Sequence, residues 1–314
     1  MTDRASALPY RGRFAPSPSG ALHFGSLVAA VASFLQARSR GGEWVVRIED
    51  LDPPRALPGA ADEILRTLEA FGLFWDGPVI YQSRHQAQYR DVLDQLASQG
   101  ALYPCSCTRA EIADSSVRGI DGPVYPGTCR KTSVTSRTAH ALRVRTDDAE
   151  IVIIDIIQGE LRWQLQQQIG DFVVRRSDGL YAYQLAVVVD DAAQKITEVV
   201  RGADLLHSTP RQIHLQQLLG LPTPRYAHVP VAINGFGEKL SKQTLASALD
   251  TNTPVPVLHQ ALAFLGQQPP LELHSSGLDA LWQWAISHWQ ARIVPRAAAP
   301  VPAWAYRHPG DVDN

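Results

Sequence analysis

The sequence predicts an α/β protein: a parallel sheet flanked by helices, interrupted by a β-rich insert and followed by a short helical region. Three observations predict it. In residues 1–100, short apolar strands alternate with helical stretches, the order a parallel sheet requires. From residue 101 to about 176 that order gives way to cysteines, turns and then alternating apolar residues. Beyond 177, apolar runs and a proline-headed helix resume.

Each element follows from local chemistry. Residues 10–14 make a short first strand, ended by Pro16, Pro18 and Gly20. Residues 26–40, SLVAAVASFLQARSR, space their apolar side chains as a helix does, with arginines near the end that the helix dipole favours. Gly41 and Gly42 stop it. EWVVRI is a second strand, running into an acidic turn from Glu49 to Pro54. A helix fits GAADEILRTLEAFGL, VIYQS is a third strand, and RHQAQYRDVLDQLASQG is a third helix closed by Gly100.

Residues 141–176 read as β structure, EIVIIDII followed by LRWQLQ, and Asp178 with Gly179 is a hairpin turn signal. LYAYQLAVVVDD and ITEVVRGADLL both have the composition of buried strands. Ser208, Thr209 and Pro210 open the helix RQIHLQQLLG. Two further helices fit VPVLHQALAFLGQQ and LDALWQWAISHWQARI, and the proline- and alanine-rich end reads as a tail. The expected division is a first catalytic half (1–100), an insert (101–176), a second catalytic half (177–245), a helical region (246–294) and a tail (295–314).

Composition excludes several classes. The 314 residues are 45% hydrophobic and 19% charged, with a formal net charge of −2, so bulk charge points to no polyanion. No apolar run approaches the roughly 18 residues of a membrane helix, and the N-terminus lacks the apolar core of a signal peptide. A cytoplasmic protein without membrane association is expected. The three cysteines, Cys105, Cys107 and Cys129, fall within 25 residues. An odd number without an export signal argues against a disulfide framework.

Two short patterns could carry chemistry. His23 and Gly25 stand where the first strand hands over to a helix, a place where backbone N–H groups and the helix dipole favour anions. Gly25 would let a phosphate or base approach the backbone. Lys239-Leu240-Ser241-Lys242 follows a glycine-rich turn and offers two ammonium groups and a hydroxyl. Such a loop can neutralise a triphosphate and follow its charge onto pyrophosphate.

Together the two patterns resemble the signature pair of class I aminoacyl-tRNA synthetases. RFAPSPSGALHFGS, RIEDLDPPR, VVVDD, VRGADLLHSTPRQ and KLSK, in that order over roughly residues 10–245, are similar to glutamyl-tRNA synthetases. A glutaminyl enzyme is a poorer match, because Ala15-Pro16-Ser17-Pro18 stands where that branch has a PPEP-type stretch. Ser26 stands where the signature often has a second histidine, a place where glutamate-type enzymes tolerate small residues. Only 72 residues follow Lys242, where a glutamyl-tRNA synthetase continues into a helical anticodon-binding domain. That shortness, with the cysteine pattern, resembles the glutamyl-queuosine tRNA(Asp) synthetase branch of the family. A conventional synthetase core lacking its anticodon domain is the alternative. A non-catalytic binding paralogue and a cytidylyltransferase sharing HxG are more distant ones.

The resemblance implies a Rossmann-like sheet with a zinc-containing insert, and a ligase that activates L-glutamate with ATP and Mg²⁺ before any tRNA is bound. Glutamate is then passed to the queuosine base of the tRNA(Asp) anticodon. A monomer is the expected state. Arg13 can hold a carboxylate in a bidentate grip, Ser17 can add a hydrogen bond, and Glu49 suits an ammonium. The resemblance adds Phe14, Ala15, Pro16, Tyr183 and Arg201 to the amino-acid site, with Tyr181 competing with Tyr183. Arg201 is the candidate for telling glutamate from glutamine. It places His23, Gly25, Ser26, Lys239, Leu240, Ser241 and Lys242 on ATP, with His23 and Lys242 on the reacting phosphate. Cys105, Cys107 and Cys129 suit one structural Zn²⁺. For the fourth ligand the resemblance nominates Tyr125, and His140 is the chemically more ordinary choice.

Overall fold

In the first half of the chain, β1 (Arg11–Phe14) leads through α1 (Phe24–Arg38) to β2 (Glu43–Ile48), which pairs with β1 in parallel. α2 (Ala60–Ala70) leads to β3 (Ile80–Tyr81), parallel to β2, and α3 (Gln86–Ser98) follows. The computed structural model describes residues 9–131, 140–240, 246–301 and 303–305. α1 is buried over most of its surface, because alanines at 30, 32 and 37 let it lie close to its neighbours.

The middle of the chain changes to antiparallel pairing. β4 (Leu102–Cys105), the short helix α4 (Arg109–Ser115) and the two-residue strands β5 (Arg118–Gly119) and β6 (Gly122–Pro123) come first. β7 (Ala141–Val144) then pairs with β4, and β8 (Glu150–Asp155) forms a hairpin with β9 (Gly159–Gln164). After one helical turn, α5 (Leu165–Gln168), β10 (Phe172–Arg175) joins the other edge of β7.

α6 (Tyr183–Ala193), β11 (Glu198–Gly202), α7 (Thr209–Leu219) and β12 (Arg225–Val229) restore the α/β order, with β11 and β12 parallel. β13 (Ala232–Ile233), α8 (Pro254–Phe264), α9 (Leu278–His288) and β14 (Ala299–Pro300) complete the described chain. β11 lies along the free edge of β1: Thr197 N donates to Arg11 O at 2.9 Å, and Arg11 N donates to Thr197 Oγ1 at 2.9 Å. The parallel strands therefore run β3-β2-β1, then β11-β12. Chain order reverses direction between β1 and β11, which is where α/β sheets open a ligand crevice. Among the described residues, no helix is long and apolar enough to cross a membrane.

Three differences from the sequence reading have physical causes. α1 begins at Phe24 and not at residue 26, because His23 caps it. LYAYQLAVVVDD is not a strand: Tyr183 opens α6, in which every residue from Leu185 to Asp191 is buried. A helix with no polar face shows no helical period, and its valines imitate a buried strand. The end of the chain is not a loose tail as far as residue 305. β14 pairs in parallel with β13, Val301 N donates to Ile233 O at 3.0 Å, and Trp304 meets Phe24 edge-on at 5.6 Å.

Candidate active site

A cleft of about 680 Å³ opens beyond the C-terminal ends of β1, β2 and β11. Every described residue expected to hold glutamate or ATP lines it. Arg13 and Phe14 come from the end of β1, and Ala15, Pro16 and Ser17 from the turn after it. His23, Gly25 and Ser26 come from the head of α1, and Glu49 from the end of β2. Tyr183 comes from the head of α6, Arg201 from β11, and Lys239 and Leu240 from the loop after β13. Ser241 and Lys242 lie outside the described residues.

Arg13 is held from behind. Its Nε donates to Asp191 Oδ1 at 3.2 Å and its Nη1 to Val200 O at 3.4 Å, which leaves the far edge of the guanidinium for a carboxylate. Asp191 is shared with Arg47, a wholly buried arginine of β2 whose Nη1 stands 2.8 Å away. The two guanidinium groups hold the Asp191 carboxyl below its usual range, against the effect of burial.

Glu49 has the opposite balance. Its Oε1 is buried 3.6 Å from Arg47 Nη2, within ion-pair distance, but accepts no hydrogen bond among the described residues. Burial is the largest influence and pushes its pKa up to about 7, against the pull of Arg47 and Arg13. An unsatisfied buried carboxylate oxygen costs free energy until a donor arrives. A ligand ammonium is such a donor.

Arg201 uses all five of its N–H groups. Nε donates to His228 Nε2 at 3.1 Å; Nη1 to Gln212 Oε1 at 2.9 Å and to Tyr183 Oη at 3.4 Å; Nη2 to Thr209 Oγ1 at 2.8 Å and Leu205 O at 3.3 Å. Every one of these acceptors is neutral. The guanidinium is fixed in place yet meets no carboxylate at ion-pair distance among the described residues. The long bond to Tyr183 is the one a ligand carboxylate would replace or share. Burial raises the Tyr183 phenol, so it stays protonated as a donor.

The head of α1 explains HxG. His23 Nδ1 accepts from Ser26 N at 3.3 Å, while Ser26 Oγ accepts from His23 N at 2.8 Å and donates to His23 O at 2.7 Å. This capping box fixes the imidazole at the cleft. Because Nδ1 is an acceptor, a neutral ring carries its proton on Nε2. A Cβ at Gly25 would stand 3.1 Å from His23 Cε1 and 3.2 Å from Nδ1, so glycine makes room for the ring. Ser26 thus acts by holding His23. Lys239 Nζ is 2.6 Å from Asp204 Oδ2, and the Leu240 side chain is buried.

Arg176 and Asp204 also line the cleft; Asp204 stands inside VRGADLLHSTPRQ, whereas Arg176 has no motif around it. Arg55 lines it too, and its signal was present in RIEDLDPPR. His228 escaped notice because it lies behind the cleft and touches it only through Arg201.

Away from the cleft, the sulfurs of Cys105, Cys107 and Cys129 lie within 4.8 Å of one another. Tetrahedral Zn–S bonds of about 2.3 Å set sulfurs roughly 3.8 Å apart, so the spacing fits zinc. Tyr125 Oη stands 3.3 Å from Cys105 Sγ and 3.5 Å from Cys107 Sγ, and accepts from Cys129 N at 2.8 Å. The phenol oxygen therefore faces the cluster, whereas His140 is not among the clustered ligands.

Comparison with known proteins agrees with this architecture. The family described as class I tRNA synthetases (E and Q), catalytic domain, matches residues 10–256. A glutamyl-Q tRNA(Asp) synthetase of Chromobacterium violaceum is 56% identical over 93% of this chain and 98% of its own length. One from Dechloromonas aromatica is 58% identical over 92% and 96%. The crystal structure of a glutamate tRNA ligase from Elizabethkingia meningosepticum, in complex with its amino acid, superposes with a TM-score of 0.76 at 25% identity. That match covers 94% of this chain and 67% of the ligase. The chain belongs to the glutamyl-Q tRNA(Asp) synthetase family, within the class I tRNA synthetases of the E and Q type.

Proposed function

We propose that the protein activates L-glutamate with ATP in the absence of tRNA and transfers the glutamyl group to the queuosine base of tRNA(Asp). One observation carries the amino-acid assignment. Among the described residues, a single cleft presents a fixed cation whose hydrogen-bond partners are all neutral, Arg201, and a buried carboxylate oxygen that accepts no hydrogen bond, Glu49 Oε1. Glutamate supplies both missing partners, its side-chain carboxylate to Arg201 and its ammonium to Glu49. Glutamine would set a neutral amide against a buried guanidinium, a mismatch worth about 1–3 kcal/mol or more.

The α-carboxylate would then attack the α-phosphate of ATP, forming glutamyl-adenylate and releasing pyrophosphate. Arg13 holds the amino acid, and His23 donates from Nε2 to a phosphoryl oxygen. Lys239, released from Asp204, and Lys242 follow the charge onto the leaving group. These groups position and neutralise, and none needs to bond covalently to the substrate. Mg²⁺ accompanies the nucleotide. In the second step a hydroxyl of the acceptor attacks the activated carbonyl and AMP leaves. The names and near-full coverage of the relatives support queuosine as that acceptor. The likeness to a glutamate tRNA ligase supports a second reading, transfer to the terminal ribose of tRNA(Glu). Cys105, Cys107, Cys129 and Tyr125 would hold zinc in a closed, four-ligand site, which supplies a structural cross-link.

The two steps are tested separately. Glutamate-dependent ATP–pyrophosphate exchange is expected with no tRNA added; exchange with glutamine in its place would defeat the amino-acid assignment. Labelled glutamate is expected on tRNA(Asp) bearing queuosine. Label on tRNA(Glu), or equally on tRNA(Asp) lacking the modified base, would favour the second reading.

A further inference from the structure

Behind Arg201, on the side away from the cleft, stands a buried pair with no part in the chemistry above. His228, on β12, has its Nδ1 2.6 Å from Asp155 Oδ2, at the end of β8, and both side chains are fully buried. Its Nε2 lies 3.1 Å from Arg201 Nε and 3.2 Å from Thr209 Oγ1. The ring stacks on Tyr226, with 8° between the planes.

The tautomer of His228 follows from its partners. Arg201 Nε can only donate, so Nε2 must offer its lone pair, and the ring proton belongs on Nδ1. Asp155 Oδ2, an acceptor, holds the proton there. Burial and the charge of Arg201 outweigh Asp155 and push the His228 pKa down to about 4, which keeps the ring neutral. Asp155 is itself fixed, because Oδ1 accepts N–H bonds from Ile157, Gln158 and His228. A proton on Nε2 would set N–H against N–H and turn the guanidinium away.

We propose that Asp155 and His228 form a positioning pair that orients Arg201 toward the substrate's side-chain carboxylate, so that a residue of the β8–β9 hairpin sets amino-acid specificity at a site it never touches. This rests on the glutamate reading of the cleft.

The test is ATP–pyrophosphate exchange by full-length variants. Asp155→Asn keeps the Oδ1 acceptor, but its amide must donate to Nδ1 and so moves the ring proton to Nε2, facing Arg201. KM for glutamate is expected to rise at least roughly tenfold while KM for ATP stays within about twofold, as loss of one substrate's binding group requires. His228→Gln can present an amide oxygen to Arg201 and should lose less than His228→Leu. The double variant Asp155→Asn/His228→Gln should fall no further than His228→Gln alone, because Asp155 acts only through the ring. Equal rises in both KM values, a loss confined to kcat, or additive losses would overturn the proposal. If Asp155→Asn does not fold, the comparison of His228→Gln with His228→Leu decides alone, and equal KM values for glutamate sink the pair. A wild-type protein without glutamate-dependent exchange would instead defeat the glutamate reading.

Discussion

At the scale of single residues, the cleft sets two buried carboxylates to opposite electrostatic states. Asp191 is shared by Arg13 and Arg47 and is held ionised, so it stabilises the fold at neutral pH and loses that contribution as the pH falls. Glu49, one strand end away, has its pKa raised from 4.5 to about 7. The folded state therefore prefers its protonated form. Its contribution to stability is complete below about 4.5 and is lost as pH rises through 7. A shift of that size is worth on the order of 3 kcal/mol. Glu49→Gln, which cannot ionise, should match the wild type at pH 4.5 and exceed its stability by up to roughly 3 kcal/mol at pH 8. It should also lose glutamate-dependent exchange. Denaturant melts at the two pH values check the first expectation, and an equal difference at both would refute it. Arg13, His23, Glu49 and Arg201 were legible because they stand inside ordered motifs, whereas Arg176, which also lines the cleft, stands in none. His228 and Asp155 were not legible: they are 73 positions apart, and their role is visible only once β8 lies behind β12.

At the scale of elements, the head of α1 shows local sequence serving the site over the helix. Alanine is the better helix former, by about 0.5–1 kcal/mol over glycine. In Gly25→Ala that gain is offset by the weakened His23 cap, worth about 0.5–2 kcal/mol, so the melting temperature should stay close to the wild type's. The added Cβ would press on His23 at 3.1 Å and drive the ring off its bond to Ser26 N. KM for ATP is expected to rise roughly tenfold while KM for glutamate holds, because only the phosphate side of the cleft is disturbed. An unchanged KM for ATP would show that the ring's position does not matter. α1, α2, α3, β2 and the β character of β8 and β9 were legible because their periods are strong. α6 was not, since burial on all sides erased its period. β14 was not, since Ala299 and Pro300 take their order from β13, 67 positions earlier in the chain.

At the scale of the molecule, the buried hydrophobic side chains of the described residues form three clusters. One lies around α1, α8 and α9, and a second around α3, α6 and α7; both draw on the β8–β9 segment, through Ile157 in the first and Ile151 and Trp163 in the second. The third is small and holds Tyr103, Cys105, Tyr125 and Cys129. The hairpin that carries Asp155 is thus part of the catalytic packing, while the cysteines sit in a small apolar core of their own. The sequence could not show this, because one stretch of β-rich composition, 101–176, contains both. The separation decides what removing the metal should do. Cys129→Ser is expected to lose one equivalent of zinc by metal analysis and to loosen the lobe to proteolysis. Glutamate-dependent exchange should stay within about threefold of wild type, since no side chain of the third cluster reaches the cleft. Transfer of labelled glutamate to tRNA should fall by roughly tenfold or more if the lobe helps to seat the acceptor, the role expected of an insert beside the site. Exchange lost in proportion to zinc would refute the separation and make the lobe part of the activating machinery.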